Sequence, residues 1–444
     1  MPGRYLSRLH LFLFILSLMV FAPVIASYQQ YLEYEAEQGN AEAQFSLGLA
    51  YASGEGVPRN DKKAVEWFRK TAEQGYAGAQ FNLGLAYASG QGVPQDDKKA
   101  IEWYHKAAEQ GYADAQLNLG VAYASGRGVP RNDKKTIEWF RKAAEQGYAK
   151  AQFYLGVAYA SGRGVPRNDK KAIEWYHKAA EQGYAEAQFN LGLAYASGRG
   201  VPRNDKKAIE WYRKAAKQGY AGAQFRLGLA CASGEGVLRN DKKAIEWFRK
   251  AAEQGYAGAQ FNLGVAYASG RGVPRNDKKA AEWFRKAAEQ GYAAAQLRLG
   301  LACASGQGVP RNDKKTAEWF RKAAEQGYAE AQFSLGVVYA SGEGVPRNDK
   351  KAIEWFRKAA EQGYAGALYT LGFAYASGRG VPQNNTVAYA LINLSATNRP
   401  IPSVLKMREA LLKSMTPSQI EAGQNLTIKL MQSGNVLKVL DAYQ

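Results

Sequence analysis

The chain has 444 residues, 46% of them hydrophobic and 12% aromatic, which is enough for a packed core and excludes general disorder. A globular chain of this length would form two or three domains; a repeat replaces that expectation with one elongated array. The formal net charge of +19 brings nucleic acid, anionic membrane and polyanionic envelope polymers into consideration as partners.

Residues 1–26 read as an export signal. Arg4 and Arg8 charge the start, Leu11 to Phe21 is apolar, and Val24, Ile25 and Ala26 offer a cleavage site. The apolar run is short for a membrane span and is broken by Pro23, so no transmembrane segment is expected after signal removal. No cysteine follows the cleavage point, which argues against a lipid anchor. The mature chain is expected to start near Ser27 and to work in the periplasm or as a secreted protein. Residues 27–40 then look like a capping helix, a leftover second half of a repeat.

From Ala41 a 36-residue unit recurs, marked by Trp67, Trp103, Trp139, Trp175, Trp211, Trp247, Trp283, Trp319 and Trp355. Such a period indicates stacked supersecondary units. The first half of a unit, such as Ala41 to Ser53, is apolar or small almost all round and is expected to be a helix buried between neighbours. Gly48 in its middle forgoes about 1 kcal/mol of helix propensity, which suggests close approach of a large side chain, with the second-helix tryptophan as the expected partner. Gly54 and Gly56 permit a left-handed exit and Pro58 stops the helix. A phosphate-loop reading fails because no Gly-Lys-Ser/Thr follows. Asn60 or Asp61 caps the second helix, Lys62 to Gln74, whose inner stripe is Ala64, Trp67, Phe68, Thr71 and Ala72. Lys62, Glu66, Arg69, Lys70 and Glu73 face solvent, so the lysines read as a solvated outer face with charge spread over every repeat.

Leu47-Gly48-x-x-Tyr51 followed by Ala64-x-x-x-Phe68 resembles the tetratricopeptide pattern. Together with Gly-x-Gly-Val-Pro, Ala-x-x-Trp-Phe/Tyr and Ala-Ala-Glu-Gln-Gly, it is similar to the Sel-1-like repeat (SLR) family over about residues 36–396. The resemblance implies an all-α fold: a right-handed α/α superhelical solenoid of two-helix repeats, nine full and one degenerate, over 41–396. It also implies a non-enzymatic scaffold for protein–protein contacts, often exported in bacteria. Some cysteine-rich relatives are linked to β-lactam binding or hydrolysis through repeats that each carry a disulfide. This chain has only Cys231 and Cys303, at one repeat position two units apart, on the order of 20 Å and beyond disulfide reach. They read as small buried apolar residues.

Positions where the copies differ are the candidates for function. The second residue of the first helix and the one four further on share a helix face. On that face Glu42, Lys150, Tyr154, Glu186, Arg226 and Arg298 are the expected partner-binding residues, lining a concave groove that holds a protein or peptide. The loop position Glu55, Gln91, Arg127, Arg163, Arg199, Glu235, Arg271, Gln307, Glu343 and Arg379 also varies. No catalytic constellation, metal site or cofactor is expected: beyond the signal only His105 and His177 remain, each in place of the arginine at Arg69. A binder of anionic envelope polymers or lipid head groups is the alternative, and nucleic acid is not expected.

After Pro382 the pattern decays, with Leu391 in place of tryptophan. Residues 397–444 are expected to be a helical C-terminal cap: a helix over 403–414, then a capping box at Thr416-Pro417-Ser418-Gln419 with Met415 and Ile420 as a hydrophobic staple. Asn384, Asn393 and Asn425 are glycosylation sequons, relevant only in a eukaryotic cell.

Overall fold

The structure is a computed structural model that describes residues 30–398, 402–433 and 436–442. The expected export signal, residues 1–26, and the start of the capping helix lie outside the described residues. The chain divides into two compact units, one ending at Gln218 and one beginning at Gly219. Both are stacks of helical hairpins, here called A and B helices, and no strand occurs among the described residues. The first unit opens with a helix over residues 30–37. Five hairpins follow, from Ala41–Ser53 with Asp61–Glu73 to Ala185–Ser197 with Asp205–Lys217. The second unit holds five more, from Ala221–Ser233 with Asp241–Glu253 to Ala365–Ser377 with Asn385–Asn398. Helices Pro402–Ser414, Pro417–Ser433 and Val436–Asp441 complete it.

Local chemistry sets each boundary. The A helix Ala41–Ser53 stops at Gly54, whose φ of 81° is left-handed and whose N–H returns to the Ala50 carbonyl. The B helix Asp61–Glu73 starts at Asn60, whose side chain accepts from the Lys63 N–H at 3.1 Å. It ends at Gly75, φ 92°, with Tyr76 N–H donating to the Thr71 carbonyl at 3.2 Å. That six-to-one bond ties off a carbonyl the helix itself leaves unused. Asn60 N–H to Tyr51 O at 2.8 Å then closes the hairpin.

Packing follows from the mid-helix glycine, but with a different partner from the one expected. A Cβ at Gly48 would lie 2.7 Å from the Phe68 ring, and at Gly84 2.6 Å from the Tyr104 ring. Thus the residue after the tryptophan fills the notch. Overpacking there costs about 1–3 kcal/mol, more than the roughly 1 kcal/mol of propensity that glycine gives up. Trp67 is only half-buried; it packs against the opening helix and Leu47, with Lys70 Nζ 4.2 Å above its ring. One B-helix turn thus serves two contacts: the phenylalanine within its repeat, the tryptophan toward the preceding one.

A polar ladder runs through the apolar stack. The buried Gln80 donates to the Ala72 carbonyl of the preceding repeat at 3.2 Å and accepts from Gln110 of its own repeat at 2.8 Å. The same pair recurs, as at Gln116 and Gln146, so these buried amides have partners that offset the cost of burial. In the tail, Leu391 is fully buried. Thr416 and Gln419 exchange their capping-box bonds at 2.9 and 3.3 Å. The helix Pro417–Ser433 lies on Asn385–Asn398, with Gly423 against the Tyr389 ring.

Candidate functional site

Within each unit the A helices expose one face to solvent. Helix positions 2, 6, 9 and 13 lie on it, spaced by four, three and four residues. Position 9 is apolar throughout, and it is not buried: Leu49, Leu85, Val121, Val157, Val265, Leu301, Val337 and Phe373 are each 36–45% exposed. The expectation that the first helix is buried on most sides therefore fails on this stripe. An exposed apolar residue is ordinary taken singly; a row of them on one helix face is the kind of surface that can join into a docking patch.

Between successive A helices, with the B helix as floor, the stripe opens into recesses. One of about 360 Å³ is lined by Val121, Ile137, Phe140, Tyr154, Val157 and Arg163. Equivalent recesses lie beside Tyr104 and Arg127, beside Phe284 and Arg298, and beside Phe356 and Arg379. Each has an apolar wall and a charged end.

The loop arginine builds the charged end. Arg163 Nε lies 3.0 Å from Asp133 of the preceding repeat, and its Nη2 donates to the Ala124 carbonyl at 2.8 Å. Asp133 also faces Arg131 at 3.3 Å. Hydrogen bonding from Arg131, with further help from Arg163, holds the Asp133 carboxyl below the usual range. Asp169 is depressed in the same way by Arg167 and Arg199, Asp241 by Arg239 and Arg271, and Asp349 by Arg347 and Arg379. The loop position is thus first an inter-repeat staple, which its variability alone did not reveal.

The six residues expected to bind a partner divide between the units. Glu42, Lys150, Tyr154 and Glu186 lie in the first, and Arg226 and Arg298 in the second. Glu42, Lys150, Arg226 and Arg298 are exposed, and Glu186 is half-buried. Tyr154 is half-buried and stacks on Phe140 with centroids 5.2 Å apart and planes 15° apart. It and Arg298 line recesses. Elsewhere position 6 is satisfied locally: Asn82 donates to the Gly78 carbonyl and Asn262 to the Gly258 carbonyl, both at 2.8 Å. Sequence reasoning missed the position-9 stripe, although the same helix arithmetic that joined positions 2 and 6 extends to it.

Other titratable groups make contacts within the hairpin stack. Tyr148 bonds to Asp114, which pushes its phenol up to about 12. His105 faces the Tyr123 hydroxyl at 3.2 Å, and burial lowers its pKa. The tyrosine hydroxyl contacted here is the one Arg69 meets as Tyr87, also at 3.2 Å. Cys231 and Cys303 are buried, as expected of small apolar replacements for tyrosine. Among the described residues no group of three His, Cys, Asp or Glu could hold a metal ion, and no helix is long and apolar enough to cross a membrane.

Comparison with known proteins agrees with this architecture. The Sel1 repeat family model matches ten consecutive segments: 41–76, 77–112, 113–148, 149–184, 185–220, 221–256, 257–292, 293–328, 329–364 and 365–398. A solved structure of c5321, a protective antigen of uropathogenic Escherichia coli strains with an SLR fold, is 37% identical. It covers 92% of this chain and 88% of its own, with a TM-score of 0.81. A Sel1 repeat protein from Oxalobacter formigenes is 39% identical over 69% of this chain and 90% of its own, TM-score 0.55. No curated protein sequence matches. Sel1 repeat proteins are in general protein-interaction scaffolds rather than catalysts. With ten matched copies, a glycine–aromatic notch in the nine hairpins from Gly48 to Gly336 and a likeness covering nine-tenths of the chain, this protein belongs to the Sel1 repeat family.

Proposed function

We propose that the protein is an exported, non-enzymatic scaffold that holds a protein or peptide partner along the A-helix face. The observation that carries this reading is the row of exposed Leu, Val and Phe at position 9, of which Val121, Val157, Val265, Leu301, Val337 and Phe373 line recesses with a charged end. A neutral-drift surface would not keep one apolar residue in contact with water in repeat after repeat. Lys150, Tyr154, Arg226 and Arg298 flank that row and supply specificity, and Glu42 and Glu186 mark its acidic points. The export part rests on the charged and apolar leader, residues 1–26.

Incorporating a photo-crosslinking residue at Val157 or at Glu174, an exposed B-helix position, tests the reading in the cell that makes the protein. The expected result is a discrete adduct from 157 and none from 174, on a chain recovered outside the cytoplasm with Ser27 as its first residue. Adducts from 174 alone would overturn the binding face, and an intact Met1 in the cytoplasm would overturn export.

One observation favours the polyanion reading as an alternative. The charge is not spread evenly after all: residues 113–328 hold 37 lysines and arginines against 20 acidic residues, a net +17 of the chain's +19. Binding to an anionic envelope polymer would fall steeply with salt and ignore substitutions at Tyr154 and Arg226.

A further inference from the structure

The surplus positive charge of the first unit is concentrated on one edge of its stack. Segments 126–135, 162–171 and 198–207 repeat one decapeptide, Gly-Arg-Gly-Val-Pro-Arg-Asn-Asp-Lys-Lys, in three consecutive hairpins. Each runs from the end of an A helix through the loop to the first turn of the B helix, so all three lie along the same edge. Together they hold twelve lysines and arginines against three aspartates, a net +9. The rest of residues 113–220 holds seven cations and seven carboxylates, a net of zero. The whole surplus of these three repeats is therefore on the loop edge.

Contacts make that edge continuous. A Cβ at Gly164 would lie 2.4 Å from the Asp133 carbonyl oxygen, so the loop rests on the start of the preceding B helix. Arg131 and Arg163 share the Asp133 carboxylate at 3.3 and 3.0 Å, and Arg167 and Arg199 share that of Asp169 at 2.9 and 3.4 Å. These pairs occupy the carboxylates and leave the lysines over. Lys134, Lys170 and Lys206 are exposed and enter no ion pair among the described residues. One free ammonium thus recurs at the same place in each hairpin, beside the arginines of its loop.

The chemistry of the edge narrows what it fits. A row of identical cations complements a polymer that carries an anion on each of its repeating units. No uncharged side chain larger than valine occurs in the decapeptide, so it offers no aromatic platform for nucleic-acid bases and no large apolar group to enter a lipid layer. Because the three copies are identical, the edge does not distinguish one position from the next. That suits a chain of like sugar units better than a polypeptide with varied side chains.

We propose that this loop edge binds a linear anionic polysaccharide, laid across the three decapeptides. The proposal rests on the polyanion reading, to which it gives a site, and does not depend on the A-helix face. Labelled polygalacturonate, titrated by fluorescence anisotropy with the full chain and two charge-matched variants, tests it. Lys134→Gln, Lys170→Gln and Lys206→Gln together neutralise the edge. Arg141→Gln, Arg213→Gln and Lys217→Gln together remove the same charge from the C-terminal halves of B helices. All six side chains are exposed, and circular dichroism checks that both variants fold.

In ~50 mM salt the edge variant is expected to bind at least ~10-fold more weakly than the unaltered chain and with a shallower salt dependence, and the second variant within ~2-fold of it. Equal losses in the two variants would reject the edge as the site and leave the polyanion reading standing. No binding by the unaltered chain would overturn both. Tighter binding to a DNA duplex, to polyglutamate or to vesicles of anionic lipid than to polygalacturonate would overturn the polysaccharide as ligand.

Discussion

At the scale of single residues, most of what the repeat keeps constant is packing chemistry. Gly84 stays glycine because the Tyr104 ring occupies the place of its Cβ, and Gln80 stays glutamine because two buried amide bonds end on it. The exception at Leu238 is informative. Every other complete copy of that loop has proline there, and Leu238 is 93% exposed, so its side chain packs on nothing. Leu238→Pro should place the ring where the sister loops already carry one and reduce the freedom of the unfolded chain. The expected gain is ~0.4–1 kcal/mol, seen as a higher denaturant midpoint with unchanged slope. A lower midpoint would mean that this loop differs in backbone from its sisters.

At the scale of elements, the arginine staple decides how firmly one hairpin holds the next. Arg163 reaches both Asp133 and the Ala124 carbonyl near the end of the preceding A helix, whereas Glu343 occupies that position and offers Asp313 a like charge. Glu343→Arg should restore the staple between residues 293–328 and 329–364. Because such pairs are solvent-exposed, the rise in thermal midpoint should be modest, on the order of 1 °C. The pH dependence has a definite sign. Asp133, Asp169, Asp241 and Asp349 have folded pKa values depressed by arginine, so the unfolded state binds more protons in acid. Their contribution is present above the ordinary carboxyl value of about 3.9 and is lost as pH falls through the lower folded value. The Glu343→Arg gain should follow the same course, present at pH 7 and absent near pH 2. A gain that survives at pH 2 would point to packing by the arginine stem instead of to the ion pair.

At the scale of the whole molecule, a stack of hairpins needs an end, because the last repeat has no successor to cover it. The second unit ends with a cluster in which Leu391, Ile392, Leu411, Leu426, Leu430 and Leu440 are buried together. The ion pair between Arg357 and Asp441 fastens the last helix back onto Asp349–Glu361. Each leucine so covered is worth about 1.5–3 kcal/mol. Removing residues 402–444 should therefore lower the thermal midpoint by several degrees and produce binding of an apolar dye. A truncated chain that melts like the full one and binds no dye would show the cap to be dispensable.

How much of this was legible beforehand follows from the range of the interactions. Hairpin boundaries, the capping box at Thr416 and the helical tail depend on residues within a few positions of one another, so local chemistry and a 36-residue period were sufficient to place them. The sequence also supplied the comparison among copies that singled out Tyr154 and Arg298. It did not say which of two adjacent aromatics, Trp67 or Phe68, fills the glycine notch, because both fall on the apolar side of the same helix and differ by only 100° of rotation. Nor did it separate the buried Leu47 from the exposed Leu49, which lie about 160° apart on a helix that is apolar almost all round. Only the packing of each hairpin against its neighbour assigns those azimuths. That packing turns an apolar helix into one with a single wet stripe, and a variable loop arginine into a staple that also forms the rim of a recess. The fold was fixed by what each residue does to its own turn of helix, and the candidate binding face by which side the next repeat leaves uncovered.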